Sequence, residues 1–301
     1  MVNNLIMISA MYENGGNVFH RHLDGHPELY VYPFESQLGT RYVNDELLSF
    51  YPFKYRWPLF PLEGKIEDDF ELFFDEEIKT RLRRPDGSKF RNADIEMNEK
   101  ERKSLFIKYM NDKPRTTGNL VMAFFYATFE AWKNYKKTNK EKYYVGYSPI
   151  VGVDAERIFS DLPNSYIIHI VRHPCACYSE TKRRPFPLSL KRYTWTWNIT
   201  QYKALVYKEM YPDKFIIIKY EDLLTKKREV MEKFSQQVGI SFDESLLYPS
   251  WNGQKLEDVY PWGTINIPDV NEQETRKQEL SKQEISEIEL ISKIFLQELG
   301  Y

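Results

Sequence analysis

Two adjacent glycines near the N-terminus stand where a chain can hold a phosphate group. Gly15 and Gly16 lie between a short apolar segment, residues 5–10, and a helical pattern that begins near Asn17 and stops at residues 25–27. Glycines allow close backbone approach, several N–H groups of such a turn point the same way, and the dipole of the following helix favours an anion. Because the segment has neither the GxxxxGK[ST] spacing of a Walker A loop nor the GxGxxG of a dinucleotide fold, it predicts a phosphate group of another kind.

A second candidate anion site follows the strand-like segment SYIIHIV, residues 165–171. Arg172 stands directly after this segment, and Pro174 opens a helical pattern in which Ser179 could add a hydroxyl. In open α/β sheets ligands bind beyond the carboxyl ends of the strands, where Arg172 and the glycine loop would both lie. A guanidinium binds a phosphate through two hydrogen bonds, so the two segments could hold the two ends of one elongated anion.

Composition narrows the class of protein. The chain has 301 residues, 42% of them hydrophobic, and a formal net charge of −2, which argues against a general nucleic-acid binder. No apolar run reaches the roughly 18 residues of a membrane span, and no basic region precedes residues 5–8, so we expect a soluble cytoplasmic protein without a membrane partner. Cys175 and Cys177 are too close in sequence to bridge readily and do not suggest an oxidising compartment.

Strands and helices alternate along much of the chain. Near-continuous apolar runs are typical of strands buried on both faces of a parallel sheet. They occur at residues 143–147, 165–171 and 214–220, and helical patterns occupy residues 153–159, 176–183, 188–211 and 225–238. This order predicts a doubly wound α/β fold with a parallel sheet.

Two further regions complete the predicted organisation. Ser281 and Glu284 have the spacing of a capping box and predict the start of a last helix. Residues 40–142 interrupt the alternation with aromatic clusters and with helical patterns at 99–111 and 117–137. We interpret them as an insertion, within a single domain over residues 1–301, that covers the site and shapes the acceptor pocket. The acidic run within it, residues 63–77, is either a solvent-exposed amphipathic face or a surface for a cationic acceptor.

The order of these landmarks resembles that of the PAPS-dependent sulfotransferases. The glycine loop with LDGHPEL is followed by IIHIVRHP, then IIIKYEDLL, then FSQQVGISFDESLLYPSWNG, together spanning roughly residues 5–253. The resemblance implies a central parallel sheet flanked by helices, as in P-loop NTPases, here with a helical and aromatic insertion. It also implies transfer of a sulfuryl group from 3′-phosphoadenosine-5′-phosphosulfate (PAPS) to a hydroxyl or amine of a small molecule, such as a natural product, or of a sugar. The product PAP is left, and no metal is required.

The resemblance also assigns roles to individual residues. The glycine loop would hold the 5′-phosphosulfate, Arg172 and Ser179 would hold the 3′-phosphate, and Tyr220 would support the same end of the nucleotide. A loop within residues 251–264 would close over the adenine and the 3′-phosphate. The nucleotide-binding residues implied in this way are Asn14, Gly15, Gly16, Asn17, Arg172, Ser179, Tyr220, Trp251 and Gly253.

A hydroxyl acceptor also needs a base. Glu35 lies about where glycan- and tyrosyl-transferring members of the family place a catalytic glutamate, and it is our choice. His20 is the alternative base. A simple helix-capping role for Glu35 stays open, because acids favour helix N-termini. A metal site at His20, His22 and His26 is disfavoured, since no cysteine or carboxylate pattern completes it.

Two positions depart from the family pattern. Glu13 stands where the loop usually carries Lys or Arg, and Tyr147 stands where many members carry Lys. A carboxylate there would oppose charge stabilisation at the leaving oxygen. Either a cation comes from elsewhere, or Glu13 turns outward, or the chain binds nucleotide without catalysis. The candidate cations are Arg21, Lys182 and Arg183.

Other interpretations remain open at this point. Gly15 and Gly16 could form only a tight turn, and Arg172 could pair with a structural carboxylate such as Glu221. A P-loop-like small-molecule kinase is disfavoured, because the chain lacks the Gly-Lys-Ser/Thr of that class. A protein or polymer acceptor is compatible with the aromatic clusters of the insertion.

Overall fold

The fold is built on a five-stranded parallel sheet. The computed structural model describes residues 2–40, 52–257 and 278–301. In these residues the strand order is β2-β3-β1-β4-β5, with every pair parallel. The strands are β1 (Asn4–Ser9), β2 (Leu29–Val31), β3 (Tyr143–Tyr147), β4 (Tyr166–Val171) and β5 (Phe215–Lys219). The predicted α/β architecture with a central parallel sheet is confirmed.

Helices cover both faces of the sheet. Alternate residues of β1 belong to opposite cores, Leu5 and Met7 to one and Ile6 and Ile8 to the other, which explains its near-continuous apolar sequence. The α-helices are α1 (Gly16–Leu23), α2 (Ile66–Leu72), α3 (Glu76–Arg83), α4 (Glu99–Met110), α5 (Thr117–Ala131), α6 (Ala155–Asp161), α7 (Pro174–Lys182), α8 (Leu190–Met210), α9 (Tyr220–Thr225), α10 (Lys227–Val238) and α11 (Lys282–Glu298). A short antiparallel hairpin, β6 (Ser250–Trp251) and β7 (Gln254–Lys255), follows α10.

The prediction for α5 was too long. The pattern over residues 117–137 suggested one helix, but α5 ends at Ala131 because Trp132 leaves the helical region, with ψ of 93°. The Trp132 side chain is buried, and its indole N–H donates to Asn134 Oδ1 at 2.7 Å. Its ring centroid lies 6.0 Å from that of Trp251, so tertiary packing of one large side chain overrides the local helical pattern.

The acidic run is only partly a solvent-exposed face. Glu67 and Asp68 are exposed, but Asp69 is buried and binds Arg115, with Nε 2.7 Å from Oδ2. Asp75 is also fully buried; it pairs with Arg102 and accepts a hydrogen bond from the Tyr32 hydroxyl at 2.7 Å. Because Tyr32 directly follows β2, this pair attaches the insertion to the end of the sheet where the predicted site lies.

The C-terminal helix begins as its sequence predicted. The Ser281 hydroxyl accepts the N–H of Glu284, and the Glu284 carboxylate accepts the N–H of Ser281, which completes a capping box. The helix α11 is tied to α8, where Asn198 Nδ2 donates to the carbonyl of Ile291 at 2.9 Å. Within the described ranges, none of the helices combines the length and the apolar character needed to cross a bilayer.

Candidate active site

The loop between β1 and α1 can only be built with glycines. Gly15 has φ of +85°, and a Cβ added there would lie 2.2 Å from the ring of Tyr220. A Cβ at Gly16 would lie 2.5 Å from the Cβ of Ala10 and 2.6 Å from the Tyr147 ring. Both glycines are therefore required by close packing, and because α1 begins at Gly16, its first backbone N–H groups belong to this loop.

A matched pair of glycine variants tests this crowding. We expect Gly15→Ala to lower the free energy of unfolding by about 2–4 kcal/mol, because a left-handed backbone is strained with a side chain and the Tyr220 ring is overpacked. Gly239 also has a positive φ, +73°, but apart from its chain neighbours no atom of the described residues lies within 4 Å of an added Cβ. Gly239→Ala should therefore cost only the backbone strain, about 1–2 kcal/mol. Chemical denaturation measures both, and equal losses would show that contact with Tyr220 is unimportant.

The structure brings the two predicted anion-binding segments together. The side chain of Asn14, fully buried, accepts the backbone N–H of Arg172 through Oδ1 at 3.0 Å. In return, Arg172 Nη1 donates to the carbonyl oxygen of Glu13 at 3.0 Å. The guanidinium also lies over Tyr220, 4.9 Å from the ring centroid. The glycine loop, Arg172 and Tyr220 thus form one contiguous surface, although 158 residues separate Asn14 from Arg172.

Carboxylates contact both residues that were predicted to hold the 3′-phosphate. Arg172 Nη1 lies 2.7 Å from Glu180 Oε1, and Ser179 Oγ donates to Glu279 at 2.9 Å. Glu221, considered as the structural partner of Arg172, instead accepts the N–H of His173 at 2.9 Å. A phosphate held by both residues would therefore compete with these acids for Arg172 and Ser179.

Trp251 and Gly253 lie away from that surface. The N–H of Gly253 donates to Asp24, which follows the last turn of α1, at 3.0 Å. The ring of Trp251 is buried, 5.6 Å from Phe34, and Arg21 lies 5.3 Å from its centroid. The structure therefore places these two residues at the opposite end of α1 from Gly15. The remainder of the predicted closing loop, residues 258–264, lies outside the described residues.

Glu35 lies in a pocket that also contains a second acid. Its backbone N–H donates to Glu77 Oε2 at 3.1 Å. Burial raises the pKa of Glu35, an effect that the nearby charge of Lys89 and the nearby Tyr55 hydroxyl partly oppose. Burial and the charge of Glu35 raise the pKa of Glu77 to about 7, and Lys89 Nζ lies 2.6 Å from Glu77 Oε1.

Glu77 was not singled out from the sequence as a site residue. It lies in the acidic run, and its contact with Glu35 spans 42 residues of the chain. Its position among many acids carries no distinguishing local signal, because only the packing of α3 beside the segment after β2 brings it into the pocket.

His20 is placed beside the loop but is enclosed. It is fully buried, its ring centroid lies 5.6 Å from that of Tyr147, and burial together with the charge of Arg21 lowers its pKa. The two nearby histidines contact backbone carbonyl groups. His22 contacts the carbonyl oxygen of Leu246, and His26 contacts that of Ser241. Among the described parts of the chain, no group of three or more His, Cys, Asp or Glu residues is arranged to hold a metal ion.

The loop carboxylate has a cationic partner that was not among the sequence candidates. Glu13 Oε1 pairs with Arg184, whose Nε lies 2.8 Å away. The three earlier candidates contact other groups. Arg21 is enclosed near Asp24, Lys182 binds Glu284 at 2.8 Å, and Arg183 pairs with Glu279. Tyr147, the second departure from the family pattern, is buried against Gly16.

Comparison with known proteins identifies the class. The model of the sulfotransferase family matches residues 66–244, which is more than half of the chain, so the protein belongs to the sulfotransferase family. No curated protein matches it.

One of the similar solved structures, the first described below, supports the same fold. The sulfotransferase domain from the curacin biosynthetic pathway is 17% identical, with a TM-score of 0.54, over 100% of this chain and 98% of the other. The sulfotransferase domain of the Synechococcus PCC 7002 olefin synthase is 18% identical over 92% of this chain and 94% of the other, with a TM-score of 0.46. Sulfotransferase STF9 from Mycobacterium avium is 12% identical over 98% and 76%, with a TM-score of 0.47. At these identities the likeness to the curacin domain concerns the fold alone.

Proposed function

We propose that this protein transfers a sulfuryl group from PAPS to a hydroxyl or amine of a small molecule or sugar. The observation that carries the proposal is the contact of the glycine loop with Arg172, through Glu13 and Asn14, at the carboxyl end of the sheet. This surface offers loop N–H groups for one phosphate and a guanidinium for another. Two separated anionic groups are what distinguishes PAPS from a simple monophosphate.

Glu35 is the proposed base in preference to His20. Glu35 lies in the segment after β2, whereas His20 is fully buried and its lowered pKa makes it a weak proton acceptor. When the acceptor oxygen attacks sulfur, the Glu35 carboxylate takes the acceptor proton. The bond between sulfur and the 5′-phosphate oxygen breaks, and its electron pair stays on that oxygen.

Titration calorimetry with PAP, ATP and ADP tests the nucleotide assignment. We expect PAP to bind in the micromolar range or tighter and ATP and ADP to bind at least tenfold more weakly, because they lack the 3′-phosphate that Arg172 would hold. Binding of ATP but not PAP would favour a kinase instead. Transfer of sulfur label from PAPS to a panel of hydroxyl and amine acceptors then separates an enzyme from a protein that binds PAP without catalysis.

The rate of transfer is expected to rise with pH through the titration of Glu35. The carboxylate form is the base, and burial raises the pKa of this group, so the acid limb should lie above the usual range for glutamate. Lys89 lowers that pKa, and Lys89→Met should therefore move the limb to higher pH by roughly 0.5–1 unit. Lys65→Met, at an exposed lysine of the same insertion, should leave the limb in place. A limb that moves to lower pH in Lys89→Met would contradict this assignment.

A further inference from the structure

Arg184 contacts Glu13, the loop position at which the family pattern usually has Lys or Arg. It follows α7, and its Nε and Nη2 groups both contact Oε1 of Glu13. Its guanidinium lies 5.4 Å from the ring centroid of Tyr12, in the same loop. The side chain is 43% exposed, so it borders open solvent rather than the core.

The pair with Glu13 does not use all the donors of Arg184. A guanidinium carries five N–H groups. Nε and Nη2 bind Glu13, while Nη1 has no hydrogen-bond partner within residues 2–40, 52–257 and 278–301. The two N–H donors of Nη1, on a permanently charged group, are therefore available beside Glu13 of the glycine loop.

Glu13 connects this arginine to the nucleotide surface. Its carbonyl oxygen accepts from Arg172, and its carboxylate holds Arg184. Its φ is +63°, a conformation that few residues other than glycine adopt readily, so contacts on both sides of the residue maintain it. The Glu13 carboxylate alone would oppose charge stabilisation in the reaction, but here it binds and positions the Arg184 guanidinium.

The charge of Arg184 also affects Glu35, the proposed base, and Tyr147. It lowers the pKa of Glu35 and also that of Tyr147, opposing the larger effect of burial at both groups. The guanidinium therefore contacts Glu13 of the loop and is close enough to the proposed base for its charge to act there. Sulfur would pass through this region as it moves from the phosphate to the acceptor.

From this geometry we propose that Arg184 supplies the cation that stabilises the sulfuryl group and the leaving phosphate oxygen during transfer, with Glu13 as its positioning residue. The inference rests on the proposed function. As the acceptor oxygen bonds to sulfur and the sulfur–oxygen bond to the 5′-phosphate breaks, negative charge grows on the phosphate oxygen, and the Nη1 donors offset it. The acceptor proton goes to Glu35, so Arg184 remains charged throughout.

The test compares PAP with PAPS, which differ only in the sulfuryl group. In Arg184→Ala we expect release of sulfate from PAPS to water, or transfer to an acceptor, to fall by about 10²-fold. Affinity for PAP, which carries the freed 5′-phosphate oxygen, should fall by at least about tenfold, and affinity for PAPS should fall by less. The matched control is Lys182→Ala, which removes an exposed cation two residues before Arg184 that binds Glu284 of α11. This variant should change none of these quantities.

A rescue variant separates a role in charge from a role in structure. Glu13→Lys in the Arg184→Ala background restores a loop cation, and it should recover at least about tenfold of the lost turnover. Unchanged turnover in Arg184→Ala, or unchanged affinity for PAP, would overturn the inference while leaving the proposed function intact. Wild-type protein that binds no PAP and leaves PAPS unchanged would overturn both.

Discussion

Replacing Glu35 by Gln is expected to reduce sulfuryl transfer to a hydroxyl acceptor by about 10²–10⁴-fold, the usual contribution of a positioned base. Glutamine preserves the volume of the side chain, but it cannot take the acceptor proton. The backbone N–H of Glu35, which donates to Glu77, is unaffected by the substitution. The loss should therefore appear in the rate of label transfer from PAPS, with the PAP affinity measured by calorimetry unchanged.

The control for this variant is an exposed acid of the insertion that undergoes the same change of charge. Glu67 is exposed on α2, and Glu67→Gln should retain wild-type transfer. Because burial raises the pKa of Glu35, its neutral form costs little, and Glu35→Gln should not destabilise the fold. Full transfer activity in Glu35→Gln would remove Glu35 from the mechanism and return attention to His20.

Replacing Arg172 by Ala is expected to weaken PAP binding by about 10²-fold, because charge-assisted hydrogen bonds to a phosphate are lost. Arg172 also supports the loop through the carbonyl of Glu13 and lies over Tyr220, so part of any loss could come from a displaced loop. Adenosine 5′-monophosphate, which lacks the 3′-phosphate, distinguishes the two causes. If Arg172 binds the 3′-phosphate, the variant should lose affinity for PAP and little for adenosine 5′-monophosphate.

Two variants complete that comparison. Arg172→Lys keeps the charge but cannot bind two oxygens in a planar fork, and its affinity for PAP should be intermediate. Arg228→Ala removes an exposed arginine that binds Glu244 at 2.9 Å and should leave PAP affinity unchanged. Equal losses for both nucleotides in Arg172→Ala would assign Arg172 to the support of the loop instead of the 3′-phosphate.

Local sequence was sufficient for much of the fold. The strand at residues 143–147 and the capping box at Ser281 and Glu284 occur where they were predicted, because apolar runs and helix caps are recognised over a few neighbouring residues. The helix α5 was predicted too long, since burial of the Trp132 side chain depends on elements distant in sequence. Likewise, the pattern at residues 63–77 did not distinguish exposed Glu67 from buried Asp75, whose partner Arg102 lies on α4.

The sequence by itself determined the class of fold and the two segments, the glycine loop and Arg172, that meet beyond the ends of β1 and β4. Their position follows from strand polarity, because all carboxyl ends of a parallel sheet lie at the same edge. Only the tertiary structure decided that Arg184 pairs with Glu13, that Glu77 lies beside Glu35, and that Trp251 packs far from the loop. Such contacts between residues far apart in sequence depend on how helices and loops pack, which no local spacing of residue types encodes.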